Sequence, residues 1–147
     1  MKRMLFGLSF LCLLASPAAA LPPDAIGQIQ TLKGEASILR GINTLPASLG
    51  GPIYRGDTIR TAKTGSVGIV LADDSSLSLG PESEIALKDY LFNPKEGKFT
   101  FLTRMVKGTF AYLSGIIGKL SPASIRLEIP DATIAVRGTR LLVKVEQ

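Results

Sequence analysis

The sequence predicts an all-β domain: roughly ten short strands in a β-solenoid-like or twisted two-sheet sandwich arrangement. Three observations lead there. Apolar and polar residues alternate over short runs such as Ser66–Leu71 (SVGIVL) and Ser76–Leu79 (SLSL), the period of a strand with one buried face. Turn compositions separate these runs, among them Lys63–Gly65, Asp73–Ser75, Gly80–Pro81, Asn93–Gly97 and Lys107–Gly108. Beyond the first twenty residues, no stretch carries the apolar stripe of an amphipathic helix.

Taken in order, the chain opens with a segment that reads as an export signal over residues 1–20. Lys2 and Arg3 form a short positive region, Met4–Ala15 is apolar and uncharged, and Ala18–Ala20 supplies small residues for cleavage near Ala20. An apolar run of about twelve residues is too short to cross a hydrocarbon core, so no retained membrane anchor is expected. Residues 21–26 follow as an extended lead-in, because Pro22 and Pro23 cannot donate to a ladder. The domain proper is expected over residues 27–147.

Strand patterning begins with Ile29 and Leu32 and resumes with Ala36, Ile38 and Arg40 after Gly34. Gly41–Pro52, rich in Gly and Pro, reads as a loop. Strands then follow at Asp57–Thr61, Ser66–Leu71, Ser76–Leu79, Glu84–Leu91, Lys98–Thr103 and Thr109–Leu113. Ser114–Leu120 is the one candidate for a helical turn. The pattern closes with strands at Ser124–Ile129, Thr133–Val136 and Arg140–Val145.

Composition excludes much chemistry. The 147 residues contain no His, no Trp and one Cys, which removes imidazole bases, Ser-His-Asp triads and His- or Cys-built metal sites. Asp73, Asp74, Glu82 and Glu84 are close in sequence, but their spacing is not that of a calcium loop. No pair of carboxylates is set apart as acid and base, and no phosphate loop is present. The sequence therefore predicts no enzyme and no cofactor. Lys98–Gln147 holds eight basic and three acidic residues, whereas Leu21–Gly97 holds seven and nine. The basic half suits outward positions of alternating strands, or contact with anionic envelope polymer or an acidic partner. Nucleic acid is not expected as a partner of an exported chain. The Tyr and Phe residues from Tyr54 to Tyr112 are spaced as core and strand-face aromatics.

The run GDTIRTAKTGSVGIVLADDSSLSLGPESEIAL (Gly56–Leu87), with KGTFAYLSG (Lys107–Gly115) and IPDATIAVRGTRLLV (Ile129–Val143), resembles the FecR domain family. Family motifs occur in order: a G-D-x-I-x-T entry, a D-G-S-x-L-x-L turn, a G-x-F-x-Y-x-S-G segment and a closing P-x-A-x-I-x-V-R-G-T. The resemblance covers roughly residues 27–145. It departs at Ser75, where the family turn carries Gly, the residue that takes positive φ most readily.

The motif residues read as structural before they read as functional. Asp57 can accept nearby backbone amides and start a strand, and Asp74 sits where a tight turn wants a short acceptor. Gly138 suits a bend or a close approach, and Thr139 a cross-strand hydrogen bond. Arg137 either packs its stem and ties down carbonyls or presents its fork to an anion. Asp57, Asp74, Arg137, Gly138 and Thr139 are thus the candidate structural and interaction motif.

The resemblance implies a non-catalytic, exported, periplasmic protein-interaction module tied to envelope sensing or signalling. In the best-known members such a domain passes a signal from an outer-membrane iron-siderophore receptor toward a sigma factor. The expected partner is another envelope protein, with self-association through strand edges open. The alternative is a structural or surface envelope protein that binds anionic polymer or self-assembles, located in the periplasm, at the cell surface or outside the cell.

Overall fold

The computed structural model describes residues 20–138 and 140–146. The expected export segment therefore lies outside the described residues except at its Ala20 boundary, as does Thr139. Among the described residues no helix is long and apolar enough to cross a membrane.

The described residues are mostly strand, with 60% in strands and 6% in helix. The strands are β1 (Ala25–Lys33), β2 (Ala36–Arg40), β3 (Asn43–Pro46), β4 (Pro52–Tyr54), β5 (Thr58–Thr61), β6 (Ser66–Leu71), β7 (Ser76–Leu79), β8 (Glu84–Asn93) and β9 (Lys98–Leu113). A short helix α1 (Ile116–Leu120) and a 3-10 turn (Pro122–Ser124) lead to β10 (Ile125–Ile129), β11 (Ala132–Ala135) and β12 (Arg140–Val145). One hydrogen-bonded path runs β3-β2-β5-β8-β9-β7-β6-β1-β4, with β10, β11 and β12 added beside β9. The sheet curls into an open half-barrel. Every ladder is antiparallel except β9–β10, which is parallel and is closed by the α1 crossover.

Strand alternation places the core. Val67, Ile69 and Leu71 of β6, Leu77 and Leu79 of β7, and Ile85 and Leu87 of β8 are all buried while their neighbours face out. Ile29, Ile38, Ile53, Phe101, Phe110, Tyr112 and Leu127 join them in one contiguous cluster. The aromatics pack in a row: Tyr90 meets Phe101 edge-on at 6.0 Å and Phe101 stacks on Tyr112 at 5.5 Å.

Three sequence expectations need correction. The Gly/Pro-rich stretch 41–52 contains strand β3 and the start of β4. Every residue of β3 is exposed, so this edge strand has no apolar alternation to reveal it. Lys107–Gly108 is a bend within β9 and not a turn between two strands. Gly108 takes φ +102 while pairing passes from β8 on one side of the bend to β7 and β12 on the other. The lead-in is shorter than expected, because β1 begins at Ala25, just after a turn in which Ala25 N–H donates to the Pro22 carbonyl at 3.0 Å.

Candidate functional site

Three buried polar knots hold the curled sheet, each joining segments far apart in sequence. The first centres on Asp57, which is 1% exposed. Its carboxylate accepts from Arg40 Nε at 2.9 Å, from Arg40 Nη2 at 2.7 Å and from Tyr54 N–H at 2.9 Å. The Arg40 guanidinium also donates to the Pro52 carbonyl at 3.3 Å and lies 4.3 Å from the centre of the Tyr54 ring. This two-point pair ties β2 to β4 and to the entry of β5. Its hydrogen bonds to Asp57 push the Arg40 pKa above its ordinary value.

The second knot joins Thr61, Ser83 and Thr109. Thr61 Oγ1 donates to the Gly80 carbonyl at 2.7 Å and accepts from Ser83 N–H at 2.9 Å. Ser83 Oγ accepts from Thr109 N–H at 3.0 Å and donates to the Pro81 carbonyl at 3.1 Å. Gly108 lies so close that a Cβ there would overlap Ser83, which is why the bend in β9 is made by glycine.

The third knot is the most buried. Asp73 is fully buried and has no cationic partner among the described residues. Its carboxylate accepts from Tyr90 OH at 2.9 Å, Ser75 Oγ at 2.6 Å and Ile117 N–H at 3.2 Å. Its own N–H donates back to Tyr90 OH at 3.0 Å, and its carbonyl accepts from Ile116 N–H at 2.7 Å. The β6–β7 turn, β8 and the start of α1 are thus fastened to one side chain. Burial, reinforced by the Asp73 charge, drives the Tyr90 hydroxyl pKa well above the usual range. The same causes push Tyr112 up to about 12. The Tyr112 hydroxyl is buried beside Ser75 and Ser114, which partly offset the rise, and among the described residues it makes no hydrogen bond of good geometry.

One surface groove lies at the C-terminal end of the sheet. It has a volume of about 590 Å³ and runs between the 3-10 turn and the β10–β11 pair, bordered by Pro122, Ile125, Arg126, Val136 and Arg137. Arg126 and Arg137 are exposed, and neither has an ion pair among the described residues. No carboxylate lines the groove, so two guanidinium forks border an otherwise apolar channel.

The family model described as FecR protein matches residues 57–147. The chain belongs to the FecR family. A solved structure described as a cell surface anchoring domain is 32% identical, covering 44% of this chain and 87% of its own, with a TM-score of 0.43. No curated protein matches.

Within this FecR chain the expected motif residues fall in different places. Asp57 is buried in the first knot. Asp74 is exposed on the β6–β7 turn at φ +64, and its neighbour Asp73 carries the buried network. The family's turn glycine position, Ser75 here, does not carry the positive φ. Asp74 takes it, as short acids can, and Ser75 fills its slot with a buried hydroxyl. Arg137 and Gly138 lie in the link between β11 and β12. Gly138 has φ +116 with open space where a Cβ would stand, so its backbone angle, and not close approach, calls for glycine. Arg137 ties down no carbonyl among the described residues. The four carboxylates Asp73, Asp74, Glu82 and Glu84 do not converge, since Glu84 pairs with Arg60 at 3.0 Å. Sequence reasoning missed Arg40, Ser83 and Tyr90 as partners. Only an unexplained Arg ending a strand pattern marked Arg40.

Proposed function

We propose that this FecR-family chain is a non-catalytic interaction module of the cell envelope, exported to the periplasm, that engages an acidic segment of another envelope protein at the Arg126–Arg137 groove. The observation that carries this reading is the groove itself: two arginines without internal partners beside apolar walls and no lining carboxylate. Guanidinium forks suit carboxylates that arrive in pairs, and the apolar floor gives the rest of the segment something to cover. The non-catalytic reading draws support from the two buried carboxylates. Asp57 and Asp73 each spend their oxygens on the chain's own donors, which leaves neither as an acid or base for a substrate. The family resemblance and the signal-like residues 1–20 support export and a link to envelope sensing.

In vivo crosslinking of the tagged protein tests this, with purification at low and high salt and with Arg126→Ala/Arg137→Ala alongside. One stoichiometric protein, retained at high salt and lost in the double variant with an unchanged melting temperature, is the expected result. The basic C-terminal half favours a second reading, a structural component held on anionic envelope polymer. Many proteins or polymer, released by salt equally from wild type and variant, would establish that reading instead.

A further inference from the structure

Among the described residues four strands form the outer edges of the sheet: β3, β4, β11 and β12. Edge strands invite pairing unless something blunts them. Prolines stand in two of them, at the end of β3 and the start of β4, and β11 has only four residues. Strand β12 has neither proline nor brevity to blunt it, and its outward charges are Arg140 and Lys144. It is six residues long, holds no Pro or Gly, and keeps an unbroken register against β9 from Arg140↔Leu113 to Val145↔Gly108. Its inner face, Leu141, Val143 and Val145, packs against the core yet remains only partly buried. On its outer face Leu142 is 68% exposed between Arg140 and Lys144.

We infer that β12 is a homodimerisation edge, pairing antiparallel with β12 of a second copy about a two-fold axis at Val143. The side-chain order selects that register. Centred on Val143, Arg140 faces Glu146 of the other copy on both sides of the axis, and Leu142 faces the stem of Lys144. On the inner face Leu141 meets Val145 and Val143 meets itself, so the apolar stripe continues from one core to the other. Centred on Leu142, Arg140 would face Lys144 twice, a like-charge opposition that destabilises the pair. Centred on Lys144, that residue would face its own copy. Arg140 has no ion pair among the described residues, and Glu146, one residue past the end of β12, pairs with Lys144 at 2.6 Å on the exposed surface. Antiparallel pairing about a two-fold closes the assembly at two copies. This surface is separate from the arginine groove, so the inference does not depend on what binds there.

The register is tested with single cysteines in the full chain carrying Cys12→Ser, which removes its one native cysteine. Directly opposed residues in an antiparallel pair have Cα atoms about 4.5–5.5 Å apart, within disulfide reach, whereas residues displaced by two positions are not. Val143→Cys is expected to form a covalent dimer under mild oxidation, and Leu142→Cys at least tenfold less of it. By sedimentation, the wild-type protein is expected to be dimeric at about 100 µM, where a micromolar Kd registers. Arg140→Glu, exposed and facing outward, is expected to raise the dimer Kd at least tenfold, and it reads the interface even if Val143→Cys folds poorly. A monomer at that concentration overturns the inference. So does a dimer that crosslinks better through Leu142→Cys, or one that Arg140→Glu leaves intact.

Discussion

At Asp57 and Arg40 the two partners of one ion pair carry unequal risk. The Arg40 side chain is 36% exposed and Asp57 is 1% exposed, so each truncation strands a different group. Arg40→Ala leaves a buried carboxylate without its cation, a loss of about 3 kcal/mol. Asp57→Ala lets Arg40 turn to water and leaves chiefly the Tyr54 N–H unpaired, a loss of about 1–2 kcal/mol. Urea denaturation of both variants checks this order, and equal losses would mean that the carboxylate's burial does not set the energetics. The two buried tyrosines differ in the same way. Tyr90→Phe removes both a donor to Asp73 and an acceptor for its N–H and is expected to cost about 2 kcal/mol. Tyr112→Phe removes a hydroxyl that sits beside Ser75 and Ser114 without a hydrogen bond of good geometry among the described residues, and it is expected to leave stability within about 0.5 kcal/mol of wild type or to raise it. Both hydroxyls have pKa values raised by folding. Their contribution is therefore complete below the unfolded tyrosine value of about 10 and is lost as pH climbs through the folded values. Between pH 10 and 12 the unfolded chain sheds protons that the folded chain keeps, so stability falls as pH rises. Alkaline denaturation curves should show this fall, with its steepness reduced by roughly half in Tyr112→Phe.

At the scale of elements, the glycines that matter are those pressed against another strand. A Cβ at Gly115 would overlap the backbone of the Asp73–Ser75 turn, whereas one at Gly138 would meet open space. Gly115→Ala must move one of two fastened segments and is expected to cost about 3 kcal/mol. Gly138→Ala incurs only the strain of φ +116, about 2 kcal/mol. Thermal melts of the two variants compare these directly, and a ranking with Gly138 the worse would discredit the packing of α1 onto the turn. The same elements show what the sequence makes legible. Strands β6, β7 and β12 match their alternating runs residue for residue, because each has one face on the core and one in water. Strand β3 is invisible since both its faces are exposed, and β9 reads as two strands because Gly108 has the composition of a turn. The knots are hidden for a further reason. Asp73 meets Tyr90 at a separation of 17 residues and Ile117 at 44, and no local pattern records such a pairing. Alternation would favour Asp73 over Asp74 as the inward acid only once the turn geometry is known.

On the scale of the molecule, β9 decides how the parts depend on one another. It pairs with β8 and β10 before its bend and with β7 and β12 after it, and the residues it buries, from Phe101 to Tyr112, belong to one cluster. Neither half of the sheet can open without exposing that strand. The family match begins at Asp57, yet the fold does not. β1 pairs with β6 and β2 with β5, and Ile29, Ile38 and Ile53 are buried in the shared core. A fragment of residues 57–147 would keep Asp57 without Arg40, leave β5 and β6 with bare edges, and expose the apolar residues those neighbours cover. Burying less surface from a shorter chain removes the margin that small domains depend on. We therefore expect the fragment to lack a cooperative thermal transition and dispersed amide resonances, while the chain from Leu21 onward unfolds in a single step seen alike by far-UV circular dichroism and tyrosine fluorescence. A fragment that melts cooperatively would place the folding unit at the family boundary and reduce β1–β4 to an attachment; non-coincident transitions in the longer chain would mean that β9 does not couple the two halves.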